Sequence, residues 1–464
     1  MAAGSCRVKF WNTSCSIRGL AAGIAAAAYV DEPAPSQVAA GGDSVTNDSG
    51  KWADPNFSSV DQSDRTVPVN LRQTGRPDIK LLISTRARKS PYWHLAIEAG
   101  CWRAEVYNRM YLPRGYGSEG DGGSGAEYEA LTQRVTLWDI AAARQIRVRG
   151  PEATEFVNYV VTRDVTRLAS MRAAYVVLCD SGGRMINDPL LLKISAGEYW
   201  FSISDSDLSL WLKGVNVGKG FDVEIQEIDV SPVQIQGVEA DGLMADLIGD
   251  VASGMPVFGL AEAEIAGLPV LVSRTGFSGE AGYEVYLKNS SLYAERMWDA
   301  ILRAGEKYGL AVTGPIQPHR IMSGILAWGQ DVDSEMVPFQ VGLAAHIPRN
   351  KESDYIGRDA IEKMRTEIAA GNHPYRLTMV GLRMEGDPIA DYLSDFWLVA
   401  PSPDAEPVGF VTSASYAPKL QTNVALARLP VELAVPGTRV YVSDPAAGSA
   451  GGSVPAVVSA FPIE

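Results

Sequence analysis

A mixed α+β body followed by a small all-β domain is the fold class this sequence predicts, and three observations carry it. Strand-like runs and amphipathic stretches interleave between residues 151 and 370; beyond 370 only short strands and turns recur; and 464 residues exceed one typical domain, predicting two or three. Apolar residues at 46% and charged residues at 21% suit a chain that buries a real core.

Residues 1–80 read as a disordered or targeting-like extension. The run RGLAAGIAAAAYV (18–30) puts basic residues before a small-residue apolar stretch too short to span a bilayer. From 31 to about 70 the chain turns to Pro, Gly, Ser, Asp and Gln without hydrophobic periodicity. The folded part is expected to begin near Leu81. A Gly-rich acidic loop, RGYGSEGDGGSG (114–125), follows, in which Glu119 and Asp121 oppose phosphate binding.

Strands are then expected at AAYVVL (173–178), PLLLKI (189–194), EYWFSIS (198–204), DVEIQEIDV (222–230), LPVLVSRTGF (268–277) and GYEVYLK (282–288). Helices are expected at 151–161, with Phe156, Val157 and Val160 on one face, at 206–217, at 292–305, and at 358–370, ending at Gly371. VGFVTSASYAP and TRVYVSD are the clearest strands of the C-terminal part.

Charge and motif content exclude several function classes. A net charge of −14 opposes a nucleic-acid or anionic-membrane partner, and no segment approaches a transmembrane helix. Four cysteines make no disulfide framework, which favours a reducing cytoplasm. The four histidines (His94, His319, His346, His373) are isolated, so no metal site is expected. No nucleophile elbow, Walker loop or dinucleotide fingerprint occurs, and GVNVGKG (214–220) lacks the hydroxyl residue of a phosphate loop.

Two constellations carry chemistry. In GGRMINDP (182–189) a turn delivers Asp188 to the start of an apolar strand; taken alone, this is also what an ordinary Asx-stabilised β-turn looks like. In RTGFSGEAGYEVY (274–286), Tyr283, Val285 and Leu287 share one strand face while Glu284 and Tyr286 share the other. A carboxylate beside a phenol suits a flat heterocycle with ring N–H donors, although an ordinary solvated face gives the same pattern.

Together and in order, these segments resemble the aminomethyltransferase family typified by the glycine-cleavage T-protein, and most closely its dimethylsulfoniopropionate demethylase branch. The resemblance spans about residues 81–464 through VYNRMYLP (106–113), LWDIAAARQIRVRGPEA (137–153), MINDP (185–189), YWFSISDSDLSLWLKG (199–214), VSPVQIQG (230–237), SRTGFSGEAGYEVY (273–286), SGILAWGQDV (323–332) and VGFVTSASYAPKLQTNVALA (408–427). It implies a folate-binding body (81–350) of three subdomains around a central channel, then a C-terminal β-barrel domain (351–464). It implies tetrahydrofolate as cofactor and a small-molecule methyl donor.

Carried over by position, Glu284 resembles the family's pterin-binding glutamate, Tyr286 its neighbour on the folate, and Asp188 the acidic residue near the reacting nitrogen. Arg274 and Arg320 are expected at the folate's anionic tail. Tyr107, Trp102 and Tyr416 are candidates for the donor, Tyr107 and His94 chiefly if the donor is an ether that needs protonation. The sequence departs from the demethylase pattern at Cys101–Glu105 and at His319–Met322, two stretches expected to border the donor pocket. A sulfonium donor is the first expectation, since its leaving group is neutral and the chain is poor in histidine. An aromatic O-demethylase and a glycine-cleavage aminomethyltransferase are the alternatives. Folate-binding proteins of this fold that assist iron–sulfur assembly carry a Lys-Gly-Cys motif, where this chain reads Tyr355-Ile-Gly-Arg-Asp359.

Overall fold

The computed structural model describes residues 84–116, 125–393, 396–443, 452–460 and 462–463. The expectations for residues 1–80 and for most of the 114–125 loop lie outside them.

Two mainly antiparallel sheets make the body. The larger has the strand order Leu260–Ile265, Leu268–Ser273, Gly282–Lys288, Val230–Gln236, Thr136–Asp139, Ala311–Val312, the last pair running parallel. The smaller is ordered Glu224–Glu227, Gln145–Arg149, Glu198–Ser202, Leu190–Ser195, Arg172–Tyr175. They meet through Ala173, Leu192 and Trp200 on one side and Val230, Leu271 and Tyr286 on the other. The far face of the larger sheet, with Tyr283, Val285 and Leu287, packs on the helix Ser290–Gly305 through Met297, Trp298 and Ile301. The period-2 alternation read from the sequence therefore separates two apolar interfaces, and Glu284 lies on the inter-sheet side.

Most expected elements form, with instructive departures. The 282–288 strand has the expected bounds, and helices occupy Ala153–Val160, Leu208–Lys219 and Arg358–Ala369. GVNVGKG is the end of the second of these helices, closed by Gly220 at φ 75°, a left-handed conformation that glycine adopts without a Cβ penalty. The run 173–178 is interrupted, because the chain leaves the smaller sheet after Tyr175 and starts a hairpin at Leu178–Cys179 with Met185–Asn187. The run 222–230 likewise divides between the two sheets. The run 268–277 ends as a strand at Ser273.

A hairpin the sequence reading did not identify, Arg103–Tyr107 with Met110–Gly115, stands against the body. Its two-residue turn, Asn108 and Arg109, has φ of 50° and 58°, the primed geometry that matches strand twist. Asn108 fixes the tip: its side-chain amide donates to the Ala142 and Ile203 carbonyls, and its Oδ1 accepts the Ser206 amide.

Among the described residues, six strands close a barrel in the order 377–384, 422–430, 409–417, 397–400, 439–443, 454–459. A bulge between Val411 and Ser413 turns the Thr412 and Ser413 hydroxyls together onto Asp331 Oδ1, at 2.6 and 2.5 Å. Asp331 Oδ2 accepts Arg320 Nη1 at 2.7 Å, with both side chains fully buried. This buried network ties the barrel to the body. Among the described residues no helix is long and apolar enough to cross a membrane.

Candidate active site

The inter-sheet geometry leaves a cavity of about 730 Å³ walled by four parts of the chain. The larger sheet contributes Gln234 and Glu284, the smaller sheet and its edge Tyr175, Asp188 and Ser202, and the hairpin Glu105, Tyr107 and Arg114, while the loops Thr275–Ala281 and Gly324–Ala327, with Val257, Phe258 and His346, add to the lining.

At the sheet wall Glu284 is directly opposite Gln234 on one neighbouring strand and Ser273 on the other. Its carboxylate accepts Gln234 Nε2 at 2.6 Å, Thr275 Oγ1 at 2.8 Å and the Tyr286 hydroxyl at 2.6 Å. Three donors fix its rotamer. The adjoining loop needs glycine for space: a Cβ on Gly276 or Gly282 would lie 2.1–2.3 Å from the Gln236 amide. Gln236 in turn accepts the Ser278 hydroxyl at 2.7 Å, holding the loop against the sheet.

At the opposite wall Asp188 follows the 185–187 strand. The turn before it is Asx-stabilised as the sequence suggested, Asp180 Oδ1 accepting the Arg184 amide at 2.8 Å. Asn187, fixed by the Ser204 carbonyl and the Ser206 hydroxyl, sets the direction of the next residue. The Tyr175 hydroxyl donates to Asp188 Oδ2 at 2.6 Å, while Oδ1 is buried without a partner. Burial raises the Asp188 carboxyl to about 6, against the pull of the Ser204 and Tyr175 hydroxyls. Burial, and then the Asp188 charge, pushes the phenols of Tyr107 and Tyr175 well above their ordinary value. His346 meets the Tyr175 ring edge-on at 4.8 Å and is held below its usual range by burial and Arg163. At neutral pH this wall therefore presents one carboxylate among neutral rings.

The structure brings Asp188, Glu284, Arg274 and Tyr107 to one cavity, and places the other candidates elsewhere. Tyr286 is fully buried behind Glu284, so it supports the carboxylate and does not line the cavity. Arg320 is not at an anionic tail: it is 0% exposed and saturated by Asp331, Gln317, Ser413 and the Ile325 carbonyl. A buried guanidinium needs such acceptors, and here the barrel junction supplies them. Arg274 lines the cavity while paired with Asp241 and the Met255 carbonyl. Trp102 and Tyr416 lie outside the lining, Trp102 on the outer surface under the Arg103 guanidinium. Of the two departing stretches, Glu105 reaches the cavity. His319 touches it indirectly, its Nε2 lying 3.0 Å from the Glu280 carboxylate, while burial holds the imidazole below its usual range.

Sequence reading missed Gln234, Tyr175, Thr275 and Arg114. Gln234 and Gln236 interrupt an apolar strand at period 2, a signal that two amides face one side of a buried sheet. Tyr175 carried no such signal, because its partner Asp188 is reached only through the hairpin between them. No group of three or more His, Cys, Asp or Glu side chains among the described residues comes together as a metal site.

Comparison with known proteins agrees with this architecture. Residues 93–351 match the GCVT N-terminal domain, and residues 378–463 match the glycine cleavage T-protein C-terminal barrel domain. The chain is 33% identical over 362 residues to a dimethylsulfoniopropionate demethylase of Ruegeria pomeroyi, covering 78% of this chain and 94% of that protein. It is 30% identical over 334 residues to an aminomethyltransferase of Streptomyces coelicolor, covering 70% and 85%. The fold is similar to the crystal structure of the glycine cleavage system aminomethyltransferase T from Bartonella henselae, with a TM-score of 0.69, 20% identity, and coverage of 81% of this chain and 97% of that one. Sheet order, closed barrel and similarity spanning residues 93–351 and 378–463 lead to one conclusion: the chain belongs to the glycine-cleavage T-protein family of tetrahydrofolate-dependent one-carbon transferases.

Proposed function

We propose that the chain moves a methyl group from a small sulfonium carboxylate, dimethylsulfoniopropionate or a close relative, to N5 of tetrahydrofolate. The observation that carries this reading is the Asp188 wall, where one buried carboxylate lines the cavity among neutral phenols and one of its oxygens is without a hydrogen-bond partner. A carboxylate beside aromatic rings favours a cation. The phenols, held far above neutrality, are poor proton donors, which suits a leaving group that departs as a neutral thioether and needs no proton.

The sheet wall fits the folate. Gln234 Oε1 is buried without a partner, and Glu284 has taken three of the roughly four hydrogens a carboxylate can accept. Acceptors with hydrogen-bonding capacity left over in a buried wall suit the ring N–H and amino groups of a pterin. Glu284 and Gln234 would hold that ring, with Tyr286 and Thr275 fixing Glu284, and Arg274 near the loop that borders it. When bound, tetrahydrofolate supplies the nucleophilic nitrogen that takes the methyl group. The protein orients the two partners and excludes water, and positioning of this kind supplies on the order of 7–11 kcal/mol. Asp188 lowers the cost of positive charge next to it. The buried free thiols of Cys101 and Cys179 support placement in a reducing cytoplasm.

The test is a donor screen with tetrahydrofolate, reading methyltetrahydrofolate by mass spectrometry. An aromatic O-demethylase is the second reading, because the same rings can stack on an aryl ether.

A further inference from the structure

We propose that Arg114 is a carboxylate-binding subsite for the methyl donor, so that this chain selects donors carrying a carboxylate apart from the methyl-bearing centre. The proposal rests on the cavity being the methyl-transfer site.

Arg114 and Arg274 line the cavity and Arg320 lies at the barrel junction behind it, and their pairing differs. Arg320 has four acceptors between 2.7 and 3.0 Å. Arg274 has both oxygens of Asp241 at 3.0 and 3.2 Å and the Met255 carbonyl at 2.8 Å. Arg114, only 6% exposed and in the cavity lining, donates to the neutral Gln317 Oε1 at 3.1 Å, and its Nε is buried without a partner. Its ion-pair partner Glu105 sits at 3.7 Å, beyond hydrogen-bond distance, on a side chain 42% exposed, and Tyr392 and the buried Glu127 carboxylate add further stabilisation of the cation. A buried cation is costly unless closely paired. The Glu105 carboxylate is a loose counter-charge that a ligand carboxylate can replace with the bidentate geometry a guanidinium favours.

Backbone geometry gives a second, independent indication. Across the hairpin Ala104 pairs with Pro113 and Arg103 with Gly115, so Arg114 is the extra residue of a β-bulge. Such bulges re-aim a side chain and recur beside active sites. Here the bulge turns Arg114 toward the cavity, where the Tyr392 ring from the barrel side stands 5.2 Å from its guanidinium. Tyr107, two residues beyond Glu105 on the same strand, is coupled electrostatically to Asp188. One hairpin thus presents a cation for a carboxylate and borders the anion suited to a sulfonium, matching the two charges of a zwitterionic donor. The glutamyl tail of folate also offers carboxylates, so the experiment must separate the two sources.

The experiment compares wild type, R114Q, R114K and E105Q on two donor pairs: dimethylsulfoniopropionate against ethyldimethylsulfonium, and vanillate against guaiacol. Each pair differs by its carboxylate. The ratio of kcat/KM within the pair that reacts should fall about ten- to hundredfold in R114Q, the range for losing hydrogen bonds to a charged group, and less in R114K. E105Q should lower KM for the carboxylate donor. Calorimetry with 3-(methylthio)propionate and with vanillate reads the subsite without turnover, and thermal unfolding confirms that each variant is folded. An unchanged ratio with unchanged carboxylate affinity in folded R114Q overturns the proposal. So does a loss confined to tetrahydrofolate affinity, which would assign Arg114 to the folate tail. Reaction of the ether pair alone rejects the sulfonium donor, and the fall or constancy of the vanillate-to-guaiacol ratio in R114Q then supports or overturns the subsite by itself.

Discussion

The sheet wall of the cavity and its hairpin wall are held in different ways. On the sheet side Glu284 sits in the middle of three hydrogen-bonded strands, its oxygens occupied by Gln234, Thr275 and Tyr286. On the hairpin side a two-stranded ribbon is pinned at its tip by Asn108, and the cation it presents, Arg114, is paired at 3.7 Å. The first arrangement pre-sets a geometry before any ligand arrives; the second leaves polar capacity for a ligand to complete. In a family whose members share folate but differ in donor, the proposed reading puts the common requirement on the sheet. On the same reading the variable requirement falls on the short hairpin.

The largest expected effect belongs to the Asp188 wall, opposite the sheet that carries Glu284. Asp188→Asn keeps the shape and the Tyr175 contact but removes the charge, and should lower kcat by about a hundredfold, as for other lost transition-state electrostatics. Methyltetrahydrofolate formation at saturating folate measures it. A change below fivefold would make Asp188 a structural residue and remove the basis for a cationic donor.

The sheet wall is next. Glu284→Gln should weaken folate binding roughly ten- to hundredfold, with little change in the unfolding temperature of the ligand-free protein. Unchanged affinity by calorimetry would detach this wall from folate. Tyr286→Phe tests whether the buried phenol acts through Glu284, with an expected loss of about fivefold in the same measurement.

The pH dependence should come from the Asp188 wall. Because the folded protein holds this carboxyl near 6, its charge is lost as pH falls through that value, and activity at pH 5 should be about tenfold below its plateau. The same shift acts oppositely on stability: the folded state binds this proton more tightly than the unfolded chain, so the contribution is full below about 4 and is lost as pH rises toward 6. Asp188→Asn should abolish both the acid limb of the rate and this slope in stability. Exhaustive chelation, the smallest effect, should leave activity unchanged; loss with EDTA that zinc or iron restores would reveal a missed metal.

How legible all this was depends on where the causes lie. Period-2 alternation in 282–288 is a local signal, so the strand and the facing of Glu284 were readable. The role of Tyr286 was not, because whether a residue on that face reaches a ligand or stops behind its neighbour depends on how deeply the second sheet packs. Arg320 was misplaced for a similar reason: its partner Asp331 and the bulge at Thr412 belong to segments whose meeting is a tertiary event. The 103–115 hairpin escaped because its turn is Asn-Arg, where the usual signal is Asn-Gly, and its strands are short and partly polar. Asp188 could be read because a turn immediately before an apolar strand fixes its direction locally.

The central claim is methyl transfer from a sulfonium to tetrahydrofolate, and one measurement addresses it most directly. The protein is incubated with tetrahydrofolate and either dimethylsulfoniopropionate or vanillate, and products are followed by mass spectrometry. Methyltetrahydrofolate and 3-(methylthio)propionate are expected in equal amounts from the first donor. Methyl transfer from vanillate, with none from dimethylsulfoniopropionate, would contradict the claim.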